Sequence, residues 1–384
     1  MRTVITADRL ITPEQSIANP VVVIEDGIIA SIDSRANAGQ PSAEQLDFPG
    51  CTLAPAYFDI HIHGSAGCDV MEGTPEAFST VGKFLACHGV GAYLPTTVTA
   101  PMDATLRSLE RMSALIGQHI EGARPLGIHI EGPFLSPHKK GAHPANLLQT
   151  PSVEAFDRMW QAAQGKIRLM TIASELPNAE DVITHATNLG VRVSLGHSNA
   201  DTAAARAGIR AGAVTATHTF NAMRSFDHRD PGLLGEVLSN DDLFAELICD
   251  GLHVHPDAVR IYWKSKGSQR AMLITDAMSA AGMPDGNYKL GELDVRVVNG
   301  KCVIGENTLA GSTLTLDRGV RNFAEFTKAS IDEVSKLASR NPARMTGFGR
   351  EIGSLGVGRT ADIAVLSAGN EVVETILRGR VVSS

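Results

Sequence analysis

Apolar residues in this chain come in short runs of two kinds, and the pattern changes twice along the sequence. Over the first fifty residues the runs are brief and bounded by turns. Val21-Val22-Val23-Ile24 leads into Glu25-Asp26-Gly27 and then Ile28-Ile29-Ala30-Ser31-Ile32, which predicts a β-hairpin. The last thirty residues repeat that style, with apolar runs over 362–366, 372–377 and 380–382 and a turn at Gly369-Asn370. Neither end carries enough apolar residues to bury a core alone, so the two are expected to pair into one small β-sandwich. Between them, runs that read as strands buried on both faces begin near Leu53, Gly91, Leu126, Ile167, Val191, Ala213, Leu243 and Ala271, separated by helical stretches. Ser198-Asn199-Ala200-Asp201 caps the Ala-rich stretch 202–211, with Gly212 behind it. Ser330 and Glu333 have capping-box spacing for a helix running toward Ser339. Strands alternating with helices predict a parallel α/β fold, and eight of them close a TIM (β/α)8 barrel. An open doubly wound sheet competes, but no Gly-x-Gly-x-x-Gly follows the first strand. The expected organisation is a barrel over 53–348 and a sandwich built from 1–52 and 349–384.

Ligand-type side chains fall at the carboxyl ends of those strands. His61 and His63 close the first, and in an extended strand alternate residues share a face, which sets both imidazoles on one side about 7 Å apart at the backbone. Glu131 ends the third strand, His197 the fifth, His218 the sixth and Asp276 the eighth. In a barrel all eight carboxyl ends surround one cavity, so residues more than two hundred apart in sequence converge there. Four histidines and two carboxylates at one mouth are ligand chemistry for Zn²⁺ or Fe²⁺. Taken singly, Glu131 or Asp276 could cap a helix and His197 could hydrogen-bond within the rim. Six such coincidences at strand ends make a metal site the better reading.

Composition narrows the function further. The chain has 384 residues, 43% of them hydrophobic and 20% charged, as expected of a soluble globular enzyme. A net charge of −8 argues against a nucleic-acid or anionic-membrane partner. No run reaches the ~20 apolar residues of a membrane span, and the start carries no leader-type apolar core. Cys51, Cys68, Cys87, Cys249 and Cys302 are scattered without Cys-x-x-Cys spacing, which suits a reducing compartment; a cytoplasmic location is expected.

His61-x-His63, the single histidines on strands five and six and Asp276 on strand eight resemble the amidohydrolase superfamily. A nearer resemblance, spread in order over nearly the whole chain, is to the N-acetylglucosamine-6-phosphate deacetylase family. It is carried by His129-Ile130-Glu131-Gly132-Pro133-Phe134, Lys139-Lys140-Gly141-Ala142-His143, Leu195-Gly196-His197-Ser198, His218-Thr219-Phe220-Asn221-Ala222-Met223, Asp250-Gly251-Leu252-His253, Thr275-Asp276-Ala277 and Leu309-Ala310-Gly311-Ser312. The resemblance implies a principal metal on Glu131, His197 and His218, with Asp276 as catalytic acid and base. Because His61 and His63 are kept, it also implies a second cation bridged by Glu131, hence one or two Zn or Fe ions per subunit. Many related hydrolases bridge two metals with a carboxylated lysine on strand four. Here Lys166 sits at the wrong end of that strand, which argues against hydrolysis of cyclic amides.

The implied substrate is a small amino-sugar phosphate, N-acetyl-D-glucosamine 6-phosphate, deacetylated in amino-sugar catabolism. Asn221, Ala222 and Arg229 would meet its phosphate; the ordinary alternative for Arg229 is an ion pair with Asp227 or Asp230. Ala142, His143 and the Asp250, Gly251, Leu252, His253 stretch would contact substrate, and Leu309, Ala310 and Gly311 would line the sugar pocket. The family also implies a homodimer whose loops can complete the neighbouring site. Lys139 and Lys140 read as a solvated pair, His129 as barrel interior, and His88, His119 and His185 as helical residues without chemistry. Rival readings are an N-acetylgalactosamine-6-phosphate deacetylase, a deacylase of D-amino acids, and an inactive relative used as a scaffold.

Overall fold

The computed structural model describes residues 2–34 and 44–382. Eight parallel strands form the central layer: β1 (Tyr57–Ile62), β2 (Val90–Thr97), β3 (Ile128–Glu131), β4 (Ile167–Ile172), β5 (Arg192–Leu195), β6 (Thr215–Ala216), β7 (Phe244–Ile248) and β8 (Ala271–Ile274). Each pairs with the next in parallel register. The ring closes beyond the ends of β8 and β1. There the Asp276 N–H donates to the His61 carbonyl at 2.9 Å and the His63 N–H to the Ala277 carbonyl at 2.8 Å. Just inside that seam the buried Asp59 carboxylate accepts the Thr275 hydroxyl at 2.5 Å. Every residue of β1, β2, β3 and β8 is buried, so runs without polar alternation are what this sheet requires. The expected TIM barrel is the observed one.

Helices cover its outside. Thr202–Ala211 starts where the Asp201 carboxylate accepts the Ala204 N–H and ends at Gly212. Ile331–Ala338 opens with the Ser330/Glu333 capping box. Both follow the spacing read from sequence.

The two chain ends share one sheet. Its main order is Arg380–Val381, Val372–Leu377, Ile363–Leu366, Glu44–Pro55, Arg2–Ile11, Pro20–Glu25 and Ile28–Ser34. An Ile28–Thr360 bridge, with the Ile29 N–H donating to the Arg359 carbonyl at 2.9 Å, ties the far strand back to the C-terminal part. The sheet therefore wraps a core of its own, including Ile5, Leu10, Val22, Ile24, Ile363 and Val365.

Three features depart from the sequence reading. The apolar run from Leu53 serves two sheets: Leu53, Ala54 and Pro55 pair with Val365, Ala364 and Ile363, and the barrel strand begins only at Tyr57. A four-stranded antiparallel sheet, Gly286–Leu290, Leu293–Val298, Lys301–Ile304 and Thr308–Leu309, is inserted after β8. It packs Leu290, Val295, Val297 and Cys302 against Val98, Met278 and Ala280 near the barrel mouth. His88 and His119 lie beyond the ends of the helices Pro75–Cys87 and Met102–Leu115, not within them.

Candidate metal centre

At the carboxyl end of the barrel the six strand-end residues meet around one carboxylate. Oε1 of Glu131 lies 3.2 Å from His197 Nε2 and 3.1 Å from His218 Nε2. Oε2 lies 3.5 Å from His61 Nε2 and 3.4 Å from His63 Nε2. Asp276 Oδ1 stands opposite, 3.1 Å from His63 Nε2 and 3.5 Å from His61 Nε2. The two oxygens of Glu131 thus divide the ligands into two halves, with Asp276 on the His61–His63 side.

Two of these imidazoles are steered from behind by main-chain carbonyls of a neighbouring strand and loop. His63 Nδ1 faces the Thr96 carbonyl at 3.1 Å and His197 Nδ1 the Lys139 carbonyl at 2.9 Å. Those contacts assign the proton to Nδ1 and leave Nε2 as the ligating atom. The segment bearing Lys139 comes close enough that a Cβ on Gly141, whose φ is +56°, would sit 3.0 Å from the His197 ring. Only glycine suits both that approach and that backbone. The side chains of Lys139 and Lys140 are half-exposed, as a solvated pair would be. His129 is buried against the His61 ring and hydrogen-bonds Thr171 at 2.8 Å, an interior residue as expected.

Backbone strain concentrates here. His197, His218 and Asp276 have φ of +47°, +26° and +49°. Left-handed backbone costs an ordinary residue about 1–2 kcal/mol, and it persists where neighbours fix it. For Asp276 those neighbours are the His61 carbonyl, which accepts its N–H, and the Ser312 N–H, which donates to its carbonyl at 2.7 Å.

The charges are strongly coupled. Burial pushes His197 down to about 4, with Glu131 pulling the other way, so it is neutral at pH 7. Burial alone would raise Glu131, but His61 and hydrogen bonds from His143, His197 and His218 hold its carboxyl well below the usual range. Asp276 is lowered in the same way, burial being outweighed by His61 and His63. Burial would likewise lower His63, yet Asp276 and Glu131 carry it up to about 9. Ionised carboxylates that draw protons onto histidines in this way are equally suited to drawing a dication. The donors fit one. His61 Nε2 is buried without a hydrogen-bond partner and faces Glu131 and Asp276. His61, His63 and Asp276, and separately Glu131, His143 and His197, each present three ligand atoms within 4.8 Å of one another.

Above the ring opens a cavity of about 320 Å³. Of the residues expected to contact substrate, Ala142, His143, Asn221, Ala222, His253, Leu309 and Gly311 line it. Asp250 accepts from His253 Nδ1 at 2.6 Å, while Leu252 is half-exposed and Ala310 is buried behind the wall. Gly251 is packed near Phe326 and is not among the lining residues. Arg229 is not in the wall either: it sits on an exposed loop, its N–H donating to Asp227 Oδ1 at 2.8 Å. Sequence reasoning missed Val98, Leu290, Asn307 and Thr308, which also line the cavity. Three of these belong to or adjoin the inserted sheet. It also missed Asp59 and Glu246, buried carboxylates inside barrel strands, a placement that is itself a signal.

A parallel eight-stranded barrel with this ring of histidines and carboxylates at its carboxyl end defines a metal-dependent hydrolase. The Amidohydrolase family model matches residues 52–382, and the chain belongs to that family. The chain is 38% identical over 362 residues to the N-acetylglucosamine-6-phosphate deacetylase of Vibrio furnissii, covering 94% of this chain and 90% of the relative. It is also 38% identical over 383 residues to the N-acetylgalactosamine-6-phosphate deacetylase of Escherichia coli O157:H7, covering all of both. The solved structure of a Mycobacterium smegmatis N-acetyl-D-glucosamine-6-phosphate deacetylase mutant in complex with N-acetyl-D-glucosamine-6-phosphate superposes with a TM-score of 0.93 at 31% identity over all of both chains.

Proposed function

We propose that this chain hydrolyses the acetamide of N-acetyl-D-glucosamine 6-phosphate to D-glucosamine 6-phosphate and acetate, using two divalent cations, Zn or Fe, one on each side of Glu131. The observation that carries this reading is the divided carboxylate: one oxygen of Glu131 faces His197 and His218, the other His61 and His63, at the floor of an open cavity. A sugar-sized amide can enter there, and the relatives that share the whole chain act on phosphorylated acetamido sugars by name.

An amide resists water because its carbonyl is weakly electrophilic and its nitrogen leaves poorly. A bound divalent cation supplies Lewis-acid polarisation of that carbonyl and makes water acidic enough to attack near neutral pH. Glu131, His197 and His218 would hold one cation, and His61 and His63, with the other oxygen of Glu131, the second. Asp276, ionised and in the cavity wall, takes the proton released as the water oxygen bonds to the carbonyl carbon. It returns that proton to the nitrogen as the carbon–nitrogen bond breaks. His143 and His253 face the cavity from two further loops and would orient the sugar.

Among the described residues that line the cavity there is no Lys or Arg, although the substrate carries a phosphate. Asn221 and Ala222 would meet it, and its charge would be countered by Arg229 of a second copy, since that residue is displayed on an exposed loop beside exposed Phe226 and His228. The proposed assembly is accordingly a homodimer. A cytoplasmic location accords with five free cysteines and with the finding that no helix among the described residues is long and apolar enough to cross a membrane. Acetate release measured on the two epimeric 6-phosphates and on unphosphorylated N-acetylglucosamine tests the reading. The expected order in kcat/KM places N-acetylglucosamine 6-phosphate first. A preference for the galactosamine epimer would move the chain to the reading that the full-length Escherichia coli relative favours. Equal rates with the unphosphorylated sugar would refute phosphate recognition.

A further inference from the structure

Glu246 is fully buried in β7, the single charged residue of that strand, and it reaches across the barrel interior to the metal centre. Its Oε2 lies 3.2 Å from His61 Nδ1 and accepts the His218 N–H at 3.3 Å. Its carbonyl also accepts the Thr219 N–H at 2.8 Å. One residue therefore touches a ligand from each half of the site, through a side chain in one case and the main chain in the other.

His61 differs from its neighbours in what stands behind it. The Nδ1 atoms of His63 and His197 face neutral main-chain carbonyls, and that of His143 faces the Thr99 hydroxyl at 2.8 Å. Of His61, His63, His143 and His197, only His61 has a carboxylate at Nδ1. A carboxylate there fixes the proton on Nδ1, keeps the Nε2 lone pair forward and makes the ring a stronger donor. His61 Nε2 is also the ring atom that has no hydrogen-bond partner while facing both Glu131 and Asp276.

We propose that Glu246 is the positioning residue of the His61–His63 cation site: its hydrogen bond to His61 sets how tightly that site holds its cation and leaves the Glu131–His197–His218 site able to hold one unaided. This rests on the two-cation reading above. Replacing Glu246 with leucine removes both charge and hydrogen bond at similar volume. Replacing it with glutamine removes the charge and keeps an oxygen that can accept from His61.

The experiment is a Co²⁺ titration of the full-length, metal-stripped protein, read by equilibrium dialysis with elemental analysis and by the visible absorption of the bound ion. Wild type is expected to take two equivalents. In Glu246→Leu the second equivalent is expected to bind about 10–100-fold more weakly, with the first unchanged, the range typical of lost ligand-orienting contacts. Glu246→Gln should recover part of that loss, which a merely structural role would not produce. Two equivalents bound by both variants with wild-type affinities would overturn the role of Glu246 and leave the two-cation reading standing. Equal weakening of both equivalents would also overturn it, because the residue would then be supporting the barrel as a whole. One equivalent in wild type would overturn both. Should Glu246→Leu fail to fold, Glu246→Gln alone decides: unchanged binding refutes the proposal, and selective weakening of the second equivalent supports it.

Discussion

Replacing Asp276 with asparagine isolates its proton chemistry from its place in the fold. Its backbone is left-handed, and asparagine is among the few residues that tolerate that region, so the exchange adds little strain where alanine would add about 1 kcal/mol. The N–H to the His61 carbonyl and the carbonyl to the Ser312 N–H are main-chain contacts and survive. The amide oxygen can still stand near His63 Nε2, 3.1 Å away in the parent. What is lost is a negative charge and, in the proposed mechanism, the capacity to carry a proton from water to the departing nitrogen. General acid–base catalysis is worth about 10²–10⁴-fold, and at about 1.4 kcal/mol per decade that is about 3–5.5 kcal/mol of transition-state stabilisation. Under saturating N-acetylglucosamine 6-phosphate, acetate release by Asp276→Asn should show kcat lowered by that factor and KM within about threefold. Circular dichroism and thermal unfolding should match the parent. A folded, fully metallated variant whose kcat stays within about tenfold of the parent would refute the assignment of Asp276 as proton carrier.

Other expected outcomes follow from the same contacts. Arg229→Ala should raise KM for phosphorylated substrates and leave the unphosphorylated sugar unaffected; an unchanged KM for both removes Arg229 from the phosphate site. In chelator-treated protein, His63 titrates near 9 in the folded state against about 6.5 unfolded, so proton uptake stabilises the fold fully below pH 6.5 and that contribution is lost as pH rises toward 9. The thermal midpoint of metal-free protein should therefore fall across that window, and a midpoint flat or rising from pH 6.5 to 9 would contradict the proximity of His63 to Asp276 and Glu131. Lys266, pushed down to about 8 by burial, donates to the carbonyls of Val237 and Asn240 at the end of the helix Gly232–Ser239. Lys266→Met orphans both and should cost about 1–3 kcal/mol by denaturant unfolding without changing kcat; no loss of stability would show that the carbonyls find other partners.

The sequence made the barrel legible because parallel strands buried on both faces must be nearly unbroken apolar runs, and eight such runs stand between helix signals. The candidate metal centre was legible for a geometric reason: in a closed barrel the carboxyl ends of strands meet, so the cluster of His61, His63, Glu131, His197, His218 and Asp276 could be assembled from strand ends alone. The same apolarity hid other things. A run with no polar alternation does not reveal which residues face the barrel interior, so Glu246 and Asp59 could not be aimed at His61 or Thr275. Nor does such a run reveal that residues 53–55 belong to one sheet and 57–62 to another. The inserted sheet of 286–309 did carry cues, an Asn299-Gly300 turn and alternating burial along Leu293–Val298, but its strands are short and half-exposed. Arg229 fell outside the cavity because a motif fixes sequence neighbours, while the direction of an exposed loop depends on what packs against it.

The two-sided role of Glu131 is open to a single direct measurement, an anomalous difference map from crystals of the Zn- or Fe-loaded enzyme recorded at that metal's absorption edge. Two peaks are expected, one among Glu131 Oε1, His197 and His218 and one among Glu131 Oε2, His61 and His63. A peak on one side alone would contradict the shared carboxylate, and density at neither position would contradict the metal centre itself.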